Sequence, residues 1–98
     1  MARHDFSALL GQYPAVIEAM DETFDSHTFI LALAQRNQRE YVDALSTYRE
    51  GNPFQTVHQQ LSEHLNGFPH LVRQIGSVAS YDIFRNNNAC MQWRKIVK

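Results

Sequence analysis

The sequence predicts an α+β fold that is mostly helical: three to five helices, including a helix-turn-helix-like pair, followed by a C-terminal β-hairpin. Apolar residues recur at helical spacing from Phe6 to Leu65. The segment "EGNPFQ" (50–55) carries the residues that end one helix and start another. Near the end, "VASYDIF" and "ACMQWRKIV" alternate apolar and polar residues on either side of three asparagines. The 98 residues make a single domain over 1–98, since chains divide only well above this length. It reads as an N-terminal helical segment (1–25), a helical core (26–76) and a hairpin (77–98).

Phe6, Leu9, Leu10, Tyr13, Val16, Ile17, Met20 and Phe24 line one helical face. Pro14 falls inside that run, so two pieces are expected, with Pro14 in the first turn of the second. "DETFDSH" interrupts, and Asp25 or Ser26 is placed to accept hydrogen bonds from the free amides of the next helix. That helix is expected to be the longest, about His27 to Glu50. Leu31, Ala34, Tyr41, Leu45 and Tyr48 form its stripe, and "FILALA" is apolar nearly all round. Arg36 with Glu40 and Arg39 with Asp43 stand four apart on its outer face. Gly51 ends it. Asn52 caps the next, Pro53 opens it and Gln55 sits at the capping-box position. Phe54, Val57, Leu61 and Leu65 then form one stripe to Asn66 and Gly67, which permit a left-handed termination. Pro69 opens one more short helix, to Ile75, closed by Gly76.

Side chains alternate faces along a strand, so the hairpin is coherent only if odd residues pair with odd residues. A three-residue loop of Asn86, Asn87 and Asn88 satisfies this, with Ile83 opposite Met91 and Tyr81 opposite Trp93. Asparagine tolerates the left-handed backbone that such a loop needs. The stretch 89–98 also fits helical spacing through Cys90, Trp93, Ile96 and Val97, with Asn88 as its cap, so strand and helix both stay open there.

Charge is divided along the chain. Residues 1–65 hold nine acids against four arginines, and residues 66–98 hold Asp82 against Arg73, Arg85, Arg94, Lys95 and Lys98, giving −5 followed by +4. Such a split points to a basic part that meets something anionic. No apolar run approaches the ~20 residues of a membrane span, and the N-terminus lacks the pattern of a secretory signal. The lone Cys90 forms no internal disulfide, so the reducing cytoplasm is the expected location.

Catalytic and cofactor signals are thin. His58 and His64 are six apart, on opposite sides of one helix, and His4, His27 and His70 have no partner at ligand spacing. No metal or cofactor is expected. Cys90 has only Arg94 and a polar loop near it in sequence, too little to activate a nucleophile. The four glycines are scattered and form no phosphate loop. The expectation is a protein that is not an enzyme.

Helices, a helix pair (Pro53–Leu65, Pro69–Ile75) and then a hairpin, over residues 28–98, resemble the element order of winged-helix domains. The resemblance implies that the second helix of the pair enters a DNA groove through His70, Arg73 and Gln74. The wing would then contribute Arg85, Asn86, Asn87, Asn88, Arg94 and Lys95. The functional expectation is a small non-catalytic module that contacts nucleic acid or a protein through its basic last third, with no membrane partner. The alternative is a self-associating (homodimeric) or partner-binding protein that uses an exposed first helix carrying Phe6, Leu9, Leu10 and Tyr13.

Overall fold

A computed structural model describes residues 4–96. In chain order these form α1 (Ser7–Leu10), α2 (Tyr13–Ala19), β1 (Thr23–Asp25), α3 (Ser26–Arg36), α4 (Gln38–Thr47), α5 (Pro53–His64), a 3-10 turn (Leu65–Gly67), β2 (Val72–Tyr81) and β3 (Asn87–Lys95). The fold is α+β and mostly helical, ending in an antiparallel hairpin. Its sheet has the order β1-β3-β2, so β3 is central and β2 forms one edge.

The first helix breaks where proline requires it, with Pro14 in the first turn of α2. Asp25 caps α3, its Oδ1 accepting from the Thr28 amide at 2.8 Å. The helix expected over 27–50 is two helices. At Asn37 the backbone leaves the helical region (φ −136°, ψ 55°), and the side-chain Nδ2 donates to the Leu33 carbonyl at 3.1 Å. Asparagine competes with the helix in this way because its short amide reaches nearby backbone groups. The break separates Arg36 from Glu40. Neither expected four-residue ion pair forms, and the ion pair among the described residues is Arg49 with Glu50. Within α3 the buried stripe runs through Phe29, Ile30, Leu33 and Ala34, while Leu31 is exposed.

Helix α5 begins at Pro53 as expected, although the Asn52 side chain makes no capping bond. Val57, Leu61 and Leu65 are fully buried. Its end tightens into the 3-10 turn rather than passing through a left-handed Gly67.

The helix expected over Pro69–Ile75 is absent. Val72 to Tyr81 is one continuous strand, so Arg73 and Gln74 belong to the hairpin and His70 to the turn before it. The nine residues of β3 need a partner for their backbone groups, and β-branched Val72 and Ile75 suit a strand. Gly76 ends no helix. It lies at a β-bulge, where the register slips between Gln74↔Trp93 and Gly76↔Gln92, and its φ of +146° is one that glycine adopts freely.

The core joins all layers. Tyr13 stacks on Phe68 (5.1 Å between centroids), meets Phe29 edge-on (4.8 Å), and donates its hydroxyl to the Leu61 carbonyl at 2.5 Å. Phe24 pairs with Trp93 across β1 and β3, and both are buried. Trp93 Nε1 donates to Ser26 Oγ at 2.9 Å, and Ser26 shares a hydrogen bond with Ser62, so α3, α5 and β3 are tied together by a satisfied polar thread. No helix among the described residues is long and apolar enough to cross a membrane.

Candidate functional site: the hairpin edge and the cleft beneath it

The hairpin keeps the odd-with-odd pairing above the bulge, with Tyr81↔Asn87, Ala79↔Ala89 and Ser77↔Met91. Its turn lies elsewhere. Asp82 N donates to the Asn86 carbonyl at 2.9 Å, and the chain reverses through Ile83, Phe84 and Arg85. Trp93 therefore faces Gln74 rather than Tyr81, and Met91 faces Ser77 rather than Ile83. The left-handed residue is Arg85 (φ 69°), not an asparagine.

Asp82 explains the placement. Its Oδ1 accepts from the amides of Phe84 (2.8 Å) and Asn86 (3.0 Å), and its Oδ2 accepts from Asn88 Nδ2 (2.9 Å). The Asn86 amide, the Phe84 amide, the nearby His27 charge and Asn88 hold the carboxyl below its ordinary range. Aspartate at the first position of a reversing turn is a known preference, and that was the signal available in the sequence.

The residues expected to make contact do not converge on one place. Arg73 and Arg94 stand directly opposite each other near the base of the hairpin, both exposed. Arg85, with its guanidinium 6.0 Å from the Tyr81 ring centroid, occupies the far end with Asn86, Asn87 and Asn88. Lys95 is engaged internally: its Nζ donates to the Glu18 carbonyl at 2.9 Å and the Met20 carbonyl at 3.1 Å, where α2 ends. A cation there satisfies free helix carbonyls. His70 is exposed in the turn, 6.3 Å from the Phe68 ring, and Gln74 is exposed on β2. The first helix supplies no exposed patch, because Phe6, Leu9 and Tyr13 are core residues.

The hairpin arches over α3 and α5, and Phe84 at its tip meets Phe54 edge-on at 4.7 Å. Between them is a cleft of about 620 Å³ whose lining includes His27, His58, Asp82 and Cys90. His58 Nε2 lies 2.6 Å from the Tyr41 hydroxyl. Burial pushes that phenol up to about 12 and pushes His58 down, with the His27 charge adding to the latter and Asp82 opposing it. Which of the two donates is set by which ring nitrogen of His58 carries the proton. Asp25, His27 and Cys90 converge beside this cleft, with one ligand atom from each within 4.8 Å of the others. Burial raises the Cys90 thiol, and the Asp25 charge adds to this; the amides of His27 and Ser26 oppose it. His27 Nδ1 is buried without a hydrogen-bond partner. The sequence hid this cluster because Cys90 lies far along the chain from residues 25–27.

No protein-family model matches the chain, and neither a curated protein nor a solved structure matches it.

Proposed function

We propose that the protein is a small, non-catalytic, cytoplasmic binding module that takes an extended, acidic segment of another protein as an added strand along β2. The carrying observation is the pair Arg73 and Arg94. Like charges directly opposite on adjacent strands are destabilising, and neither takes part in the ion pair found among the described residues. An anionic partner relieves that repulsion.

Several features favour a peptide chain. β2 pairs on one side with β3, leaving the other edge as a row of backbone donors and acceptors. Above the bulge, Gly76–Tyr81 runs without interruption for roughly 20 Å at strand rise, with Tyr81 61% exposed. Neither β2 nor β3 contains an acidic residue. Arginines flank the edge, Arg73 and Arg94 at one end and Arg85 at the other.

The test is selection of peptides from an acidic library on the full chain, followed by amide exchange and chemical-shift mapping with a selected peptide. Slowed exchange concentrated at Gly76–Tyr81, with binding weakened about tenfold or more by Arg73→Glu, is expected. Binding of a single-stranded oligonucleotide in preference to every acidic peptide would replace the peptide with nucleic acid. Shifts confined to the helices would reject the edge altogether.

A further inference from the structure

We propose that Asp25, His27 and Cys90 form a binding site for a single zinc-class divalent cation, which fastens the hairpin to the start of α3. Asp25 closes β1, His27 lies in the first turn of α3, and Cys90 is on β3, so three separate elements deliver the three donors. Their ligand atoms already lie within 4.8 Å of one another, and all three residues are partly buried. One thiolate, one imidazole and one carboxylate suit zinc, whereas magnesium and calcium require a shell of oxygens. Three protein donors leave a tetrahedral corner. His27 and Cys90 both line the cleft, so that corner is reached from it.

The same trio invites comparison with a Cys–His–Asp nucleophile, and the hydrogen bonds argue against that. In such a triad the carboxylate orients the histidine. Here Asp25 Oδ1 holds the Thr28 amide and Oδ2 accepts from Ser80 Oγ at 3.0 Å. His27 Nδ1 is left buried with no partner, so nothing orients the imidazole as a base. A metal resolves these facts together. Each carboxylate oxygen keeps a further lone pair for coordination. On binding, the Cys90 S–H bond breaks, its proton leaves to solvent and a sulfur–metal bond forms, while His27 and Asp25 each contribute a lone pair.

Titration of the full chain with cobalt(II) tests this, because a thiolate ligand gives a near-ultraviolet charge-transfer band and a tetrahedral site gives intense visible bands. Expected are saturation at one equivalent, displacement by zinc, and loss of the charge-transfer band in Cys90→Ser. His27→Gln and Asp25→Asn should each weaken binding by more than about 100-fold, beyond the range that loss of an outer hydrogen bond causes. Asparagine caps helices as well as aspartate does, so Asp25→Asn preserves α3. Circular dichroism and Trp93 fluorescence report whether each variant is folded. No saturable one-equivalent binding would overturn the site. So would a charge-transfer band of unchanged affinity in both His27→Gln and Asp25→Asn, since the thiol alone would then be collecting metal. Neither result depends on the peptide proposal, which concerns the opposite edge of the hairpin.

Discussion

Trp93 and Tyr81 belong to the same hairpin, yet Trp93 is 2% exposed and Tyr81 is 61% exposed. The contrast divides the protein into a base and an arm. In the base, β1 and the end of β3 lie against the helices, and Tyr13, Phe29, Leu33, Leu61 and Leu65 are dry. In the arm, most residues of β2 after Val72 face solvent, and order comes from ladder bonds, the bulge and the Asp82 turn. Burial of apolar surface stabilises the base; local hydrogen bonding and backbone conformation shape the arm. Elements of low local burial are where opening is easiest, and binding surfaces are drawn from that end of the range.

The largest expected effect tests the base. Phe29 is fully buried between Tyr13 and Phe24. Phe29→Ala should cost about 3–5 kcal/mol through lost transfer energy and the cavity left behind. Urea unfolding followed by Trp93 fluorescence and by circular dichroism should shift together, because Trp93 reports on the same base. Separation of the two transitions would break the division at its root, showing that the helices and β3 unfold apart.

The base was largely legible in the sequence, and the arm only in part. Helical periodicity located Val57, Leu61 and Leu65 because burial on one face imposes that period. Pro14, Asp25 and Pro53 marked helix starts because their backbone chemistry acts locally. The division of the long helix at Asn37 was missed, since one amide competing with the helix leaves no mark on the apolar pattern. In the arm, side-chain parity survived above the bulge: the loop was expected to have an odd number of residues, and the five residues 82–86 join Tyr81 to Asn87. Its position was misread because three asparagines suggested a turn more loudly than the single Asp82. The segment 69–75 was misread for a different reason. Leu71, Val72 and Ile75 satisfy helical spacing, and what makes them extended is a ladder with β3, a long-range contact. The Asp25–His27–Cys90 cluster depends on a second long-range ladder, between β1 and β3, which sets Asp25 opposite Gln92 and so brings Cys90 to the start of α3.

A smaller change sharpens the comparison from the arm's side. Gly76 has a φ of +146° and nothing within 4 Å of where a Cβ would stand. Gly76→Ala therefore introduces no clash, and its cost is conformational, about 1–3 kcal/mol for a residue forced into such backbone. Because the bulge belongs to the arm, the loss should appear as faster amide exchange along Ser77–Tyr81 and Asn87–Cys90. Amides of α5 should be protected as before. Equal acceleration in α5 would mean that arm and base open as one unit.

The smallest effect concerns the tip, and its direction follows from linkage. The Asp82 carboxyl titrates below its ordinary value because the amides of Asn86 and Phe84 hold its charged form. A group depressed in the folded state contributes stability that is fully present above its unfolded pKa of about 4 and is lost as pH falls through the folded value. Acidification below about pH 4 should therefore loosen the turn before it disturbs the base. The amides of Phe84 and Asn86 are the reporters, through exchange and chemical shift. Asp82→Asn keeps an oxygen for both amides but removes the charge, so the tip should become indifferent to pH in this window. A tip that still loosens in Asp82→Asn at the same pH would assign the acid response to other carboxylates, and the turn would then rest on its backbone bond between Asp82 and Asn86.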